Sequence, residues 1–401
     1  MSDATPETRE PTSTGASLPR LHLHTDPPPH WHGAETVRSA TWTWIAAASL
    51  PLFAAIATHG TDAIRILLIA VATAVAAEAG LGAVLSRQAV NGRFGAHADP
   101  NAILRGMLAA LTLPPTADWK VTMTAALLTS IVGCVLAGGH GNYLWHPVAL
   151  GRVGVELLLG PTLPDAAGPP NTLLPVQQIQ ALVVGANPFG HDAPAPVTAL
   201  IRDYLPAWDR TLWGMPEAGA GLLGGCGVAL LAAALVLVWR GHMRKSCMIA
   251  AFAAAAAMAF VLPIRGGGRL TWLPGLVVED GLPVGLVYVL YQLTTGELML
   301  VILLLAGDSV SSPLTSRGQR RFGLGLGALV IALRNYGLTA TAGYWALLIM
   351  NTLVPLIDRC TKRRVYGTCY TLCRVRPRDG AETTGRSPLR VNGPADQRKK
   401  G

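Results

Sequence analysis

A chain of 401 residues that is 51% hydrophobic and only 14% charged is not built to sit in water, since soluble domains carry about 25% charged residues. Its net charge of +9 does not point to nucleic acid, because the basic residues gather in short loops and the tail and form no continuous face, which is the footprint of membrane orientation. The six cysteines do not resemble a disulfide framework; Cys360, Cys369 and Cys373 cluster in the basic tail, where incidental thiols are the favoured reading over a metal or iron–sulfur role, and no zinc spacing, catalytic triad or phosphate-cradling glycine loop is found.

Residues 1–40 are polar and rich in Pro, Ser, Thr and His, without the charged-then-apolar layout of a signal peptide. They read as a flexible cytoplasmic arm, with His22, His24, His30 and His32 as incidental members of it. An apolar stretch of about 17–25 residues is long enough to cross the hydrocarbon core as a helix. Such stretches lie near 41–59, 63–85, 118–137, 217–239, 246–264, 282–306 and 320–336. Three more, 101–114, 145–159 and 339–357, are shorter or interrupted. The first of these ends at Pro114 and Pro115, and the second opens at Pro147, where a helix start tolerates proline. Short apolar segments broken by Gly or Pro mark cavities and cofactor sites in membrane proteins. The expectation is an all-α polytopic membrane protein with about ten transmembrane helices.

Orientation follows from the basic residues. With both termini in the cytoplasm, the inner connections hold Arg87 and Arg93, then Arg240, Arg244 and Lys245, then Arg317, Arg320 and Arg321, and the tail 359–401 adds Arg359, Lys362, Arg363 and Arg364. The long segment 160–215 then falls outside. It divides five helices, 41–159, from five more, 216–358, so two related halves would have to insert as inverted repeats. A weak echo supports the repeat: Leu-Thr-Leu-Pro-Pro at 111–115 precedes a span and a glycine break at 138–141, and Leu-Ala-Gly-Asp-Ser at 305–309 precedes another span and a break at Tyr336-Gly337.

Three ordered motifs carry a family resemblance. Gly307-Asp-Ser-Val-Ser-Ser-Pro-Leu-Thr-Ser-Arg-Gly318 joins an acid, a hydroxyl run and a basic glycine turn; after Arg334-Asn-Tyr-Gly337 come Tyr344-Trp-Ala-Leu-Leu-Ile-Met-Asn351 and Pro355-Leu-Ile-Asp358. Asp99-Pro-Asn-Ala-Ile-Leu-Arg-Gly-Met-Leu-Ala-Ala-Leu-Thr-Leu-Pro-Pro115 forms a second block. Gly138-Gly-His-Gly-Asn-Tyr-Leu-Trp-His-Pro147 forms a third. Together they resemble the RnfD/NqrB family, membrane subunits that carry flavin in ion-pumping redox complexes, and Arg363-Arg-Val-Tyr-Gly367 leans toward the Rnf branch rather than the sodium-pumping quinone reductase.

The resemblance implies an FMN held through a phosphoester bond to a threonine of the long outer loop. Asp192-Ala-Pro-Ala-Pro-Val-Thr198 stands at that place, with Asp192 in the position of the family's acid and Thr198 as the candidate anchor. A threonine that receives a phosphate must be accessible, and the phosphate must stay near water. The local pattern departs from the family's Asp-x-x-Ser/Thr-Gly-Ala-Thr at Ala195, Pro196 and Val197, so an ordinary loop threonine stands beside the flavin anchor as a reading. The resemblance also implies a second, non-covalent flavin, partner subunits carrying iron–sulfur clusters and flavin, quinone as an acceptor, residence in the plasma or inner membrane, and no activity for this chain by itself.

Ionisable residues inside predicted spans are functional candidates, because an unpaired charge there is costly. Glu78, Glu156 and Glu297 are therefore candidate members of a proton or sodium path, with helix packing or interface contact as their structural alternatives. Asp308, beside Ser309, Ser311 and Ser312 at an inner helix end, is suited to Na⁺, to a flavin side chain, or to helix capping. Arg334, at the outer end of the ninth span, is suited to a flavin phosphate or to lipid headgroups. Two rivals to the redox carrier remain: a flavin-less channel or solute carrier on the same ten-helix scaffold, and a subunit that only holds an assembly together.

Overall fold

The computed structural model describes residues 36–86, 100–135, 143–160, 222–266, 269–276, 284–294, 297–308, 310–336 and 341–361. Asp192 and Thr198, most of the predicted arm and nearly all of the tail lie outside the described residues. Within them the chain is mostly helical. The helices are α1 (Val37–His59), α2 (Thr61–Ser86), α3 (Pro100–Leu111), α4 (Trp119–Leu127), α5 (Pro147–Leu159), α6 (Gly227–Trp239), α7 (Lys245–Val261), α8 (Val284–Thr294), α9 (Leu298–Leu300), α10 (Ser316–Tyr336) and α11 (Ala342–Cys360). A short antiparallel hairpin, β1 (Ile264–Gly266) with β2 (Arg269–Thr271), follows α7 and pairs Ile264 with Thr271.

Each of the ten apolar stretches overlaps helix among the described residues. Their ends follow local chemistry. Thr36 caps α1, its hydroxyl accepting from the Ser39 N–H at 3.1 Å, and Gly60 closes the helix at φ 59°, a conformation that glycine adopts without penalty. The Asp118 carboxylate accepts from the Trp119 N–H at 2.7 Å and starts α4. Pro147 opens α5 in its first turn. Two segments wind more widely as π-helix: Leu128–Val135, which continues α4, and Val301–Leu305, which continues α9. Wide turns of this kind frequently mark functional places in helices.

Two helices, Val37–His59 and Thr61–Leu81, are by themselves long and apolar enough to cross a bilayer. A third span is formed if α8 and α9 with its π-helical extension count as one segment, bent by 57° between Thr294 and Leu298. Burial supports a lipid setting for the whole bundle. Along α1, Ala47, Ala48 and Ala55 are buried while Phe53 is 75% exposed. Leu68, Leu157, Leu235 and Ile249 also face outward, between 63% and 70% exposed. Small residues inside and large apolar residues outside is how helices pack when the surroundings are as apolar as the core; in water, so much exposed apolar surface would drive aggregation. Exposed tryptophans collect near element ends, at Trp42, Trp119, Trp145, Trp239 and Trp272, as interfacial aromatics do.

The larger core draws on both halves of the chain. Ala48, Leu108 and Val148 from the first half pack in one cluster with Leu230, Leu300 and Leu347 from the second. A smaller cluster, including Ile66, Ala110, Leu113 and Val121, belongs almost wholly to the first half. The tightest helix pair is α7 with α10. A Cβ at Gly323 would strike the Cys247 carbonyl, and one at Gly327 would strike the Ala251 carbonyl and approach the Ala255 nitrogen to 2.8 Å. Glycine is required there by contact with a neighbouring backbone, which cannot move aside as a side chain can.

Candidate functional site

The three motifs that carry the resemblance converge at one end of the bundle, where α3, α5 and α10 begin. Tyr143 donates its hydroxyl to Asp308 Oδ2 at 2.8 Å. The Ser311 hydroxyl donates to the same oxygen at 3.3 Å, and the Val310 N–H donates to Asp308 Oδ1 at 3.4 Å. Asp308 therefore organises its own loop and reaches across to the glycine break. The Asn351 amide, fully buried in α11, sits between the two: its oxygen accepts from the His146 N–H at 2.9 Å and its nitrogen donates to the Ser311 carbonyl at 3.2 Å. Asp358, two turns further along α11, accepts from the Leu314 N–H at 3.3 Å. The Trp145 indole donates to the Thr352 hydroxyl at 2.9 Å.

Tyr143, His146, Asp308 and Val310 among these residues line a cavity of about 400 Å³, which falls inside the ~300–1,000 Å³ range of small-molecule sites. Trp44, Leu104 and Leu108 give it an apolar face, while Asn101, Tyr143 and His146 give it a polar one. The Thr41 hydroxyl donates to Asn101 Oδ1 at 2.8 Å, fixing that side. His146 is 5% exposed and its Nδ1 has no protein partner, so the imidazole offers a buried polar atom to whatever fills the space. Removing the Tyr143 hydroxyl tests the framework: Tyr143→Phe deletes a hydrogen bond to a charged acceptor, worth about 1.5–3 kcal/mol. Faster deuterium exchange of the backbone at 310–314 is the expected result, and unchanged exchange there would remove Asp308 as the organiser of the loop.

The structure distributes the other candidates more widely. Glu78 pairs with Arg105 of α3, whose side chain is buried and lines the cavity from behind. Glu297 is 1% exposed; Arg334 Nη2 approaches its Oε1 to 3.3 Å, and the Gly343 N–H donates to the same oxygen at 2.9 Å. Arg334 also donates from Nη1 to the Gln292 carbonyl at 2.8 Å and to its side-chain oxygen at 3.2 Å. Arg334 is thus buried and bound to protein groups. Glu156 accepts from the Thr341 hydroxyl at 2.9 Å, linking α5 to the start of α11. Ser311 bonds to Asp308, whereas Arg334 and Glu297 belong to a separate cluster.

Arg105 and His146, which line the cavity, were not singled out in the sequence as site residues, nor was Arg152 of α5. Arg105 and Arg152 lie inside apolar helices and are 6% and 4% exposed, so the rule that singled out the three glutamates would have found them too. Among the described residues, no group of three or more His, Cys, Asp or Glu is placed to hold a metal ion.

Known proteins share this chain's sequence over most of its length. A relative from Stutzerimonas stutzeri, described as a subunit of an ion-translocating oxidoreductase complex, is 29% identical over 331 residues, which is 77% of this chain and 86% of that protein. A relative of the same description from Sodalis glossinidius is 29% identical and is covered over 97% of its length by 84% of this chain. One from Yersinia pseudotuberculosis is 28% identical, over 75% of this chain and 86% of its own. The model of the NQR2, RnfD, RnfE family matches residues 24–367, a span that takes in all three motifs at the cavity, and the chain belongs to that family.

Proposed function

We propose that this chain is a membrane subunit of an ion-translocating oxidoreductase complex that relays electrons through flavin and couples their flow to Na⁺ or H⁺ transport. The observation that carries the reading is the convergence of the motif residues Asn101, Tyr143, His146 and Asp308 on a single cavity, with Asn351 bonded to His146 beside it, in a chain whose relatives bear that description. In this reading all ten helical stretches cross the bilayer in two inverted halves. Both termini and the cavity face the cytoplasm by the placement of basic residues, and the loop with Thr198 faces the outside of the cell membrane.

The cavity suits a non-covalent flavin or a quinone head group. The Trp44 side offers an apolar wall for a flat ring, and Asn101, Tyr143 and His146 are the polar lining groups that would hold it. When bound, such a ring supplies one- and two-electron chemistry; the protein's share is to hold it dry and oriented. Electrons would come from, and leave to, partner subunits with iron–sulfur clusters and flavin. Glu78, Glu156 and Glu297 are the carboxylates from which an ion path would be drawn.

Covalent FMN at Thr198 is tested directly. When the chain is co-expressed with a flavin transferase, its band on a denaturing gel is expected to fluoresce, and Thr198→Ala is expected to abolish the signal. A dark wild-type band would discard the covalent flavin. One observation favours a second reading: Ala195, Pro196 and Val197 replace the small, flexible residues of the family's anchor, as in a scaffold turned to solute transport without flavin. Solute flux through proteoliposomes holding this chain alone would support that reading, and its absence would end it.

A further inference from the structure

Away from the cavity, the two halves meet along a polar seam between α5 and α11. Glu156 and Arg152 lie one turn apart on α5, and Tyr344 and Thr341 stand at the beginning of α11. Arg152 is 4% exposed, and its Nε donates to the Thr112 carbonyl at 3.2 Å, but its Nη1 has no partner. No carboxylate lies within ion-pair distance of it among the described residues. Glu156 uses Oε1 for Thr341 and leaves Oε2 without a partner. Tyr344 is completely buried, its hydroxyl has no partner, and it lies within electrostatic reach of both Arg152 and Glu297. On the far side of α5, Thr129 Oγ1 is also unpartnered and packs against Gly151.

So many unpartnered polar atoms along one seam need an explanation. Leaving a buried guanidinium nitrogen unbonded is costly, and buried polar atoms in native proteins are paired, with protein or with ordered water. Among the described residues none supplies a partner for these atoms, and ordered water is the partner that suits such a setting.

We infer that a file of buried water molecules runs from Glu156 past Arg152 and Tyr344 to Glu297, and that it carries protons along the seam between the two halves. Two guanidiniums, Arg152 and Arg334, balance two carboxylates, Glu156 and Glu297, so the seam presents no net charge to an entering proton. A Na⁺ ion would have to shed its hydration water here with no cage of oxygen ligands to replace it, whereas a proton needs only hydrogen-bonded neighbours. Each transfer moves a proton from one water oxygen to the next while a hydrogen bond re-forms behind it. Tyr344 joins the file as a hydroxyl that donates and accepts at once. The transport role rests on the ion-translocating reading above; the water file does not.

Two measurements separate these claims. Hydroxyl-radical footprinting by pulsed X-rays, on the full chain in detergent, generates radicals from bound water. Tyr344 and Phe322 are both fully buried, yet Tyr344 is expected to be oxidised while Phe322, whose neighbours are apolar, is not. An unmodified Tyr344 would overturn the water file. In membrane vesicles holding the whole complex, Tyr344→Phe keeps the ring and removes the hydroxyl. Proton translocation is expected to slow about tenfold, the effect of one lost hydrogen-bonded link, with donor oxidation in uncoupled vesicles unchanged. Undiminished proton movement, or a loss confined to sodium uptake, would overturn the proton path. A complex that moves no ions even with Tyr344 intact would count against the functional reading while leaving the footprinting result standing.

Discussion

Arg334→Met is expected to destabilise the protein by about 3–5 kcal/mol, because it strands a carboxylate in the bundle interior. Glu297 is 1% exposed, with Arg334 as its ion-pair partner. Arg334 also anchors Gln292, whose amide donates to the Tyr288 hydroxyl at 3.1 Å, while that hydroxyl donates to Asn335 at 3.2 Å. Losing the guanidinium therefore loosens a network as well as exposing a charge. The double change Arg334→Met with Glu297→Gln removes both charges and leaves an amide oxygen to accept from Gly343, so it is expected to recover much of the loss. Thermal unfolding of the purified chain, followed by intrinsic fluorescence, reads both. If the single variant melts with the wild type, or the double variant is no better than the single, the pair is not what holds this region.

The second large effect is expected at the α7–α10 contact. Gly327→Ala would drive a methyl group into the Ala251 carbonyl and to 2.8 Å from the Ala255 nitrogen. Neither backbone atom can retreat without moving a helix, and overpacking of this kind costs about 1–3 kcal/mol or more. At Gly80 of α2 the same change meets nothing within 4 Å, and there alanine is expected to stabilise by about 0.5–1 kcal/mol through its better helix propensity. One chemical change is thus expected to have opposite signs at two glycines. Yield of monodisperse protein by size-exclusion chromatography and its melting temperature measure it. A neutral Gly327→Ala would show that the helices are not locked by backbone contact.

Much of the architecture was legible because apolar run length is a one-dimensional property. The stretch near 63–85 became α2 and the stretch near 246–264 became α7 with ends shifted by a few residues. The stretch near 282–306 did not remain one helix: it bends between Thr294 and Leu298, and Glu297 sits at that bend with its carboxylate capping Gly343. A hydropathy pattern registers the apolar residues on either side of such a bend and is blind to it. The site was legible in part. Asp308 and Ser311 were singled out from their neighbours, and both lie at the junction of the motifs. The roles of Glu78 and Glu297 were not readable, since a carboxylate's meaning depends on the partner that folding brings to it. Arg105 and Arg334 are 27 and 37 positions away from those glutamates, and no local spacing rule connects them.

The 13 residues of α6 make a rod only about 20 Å long, against a hydrocarbon layer of about 30 Å. It ends at Trp239, 81% exposed and with Arg240 stacked 5.8 Å from its ring centre, and a tryptophan beside an arginine holds its level at the headgroups. With α6 crossing the bilayer as proposed above, the membrane beside this face is expected to dip to meet the protein. Lipids with short acyl chains will gather there, giving the protein an edge that prefers the thinner patches of a membrane and neighbours that share the same dip.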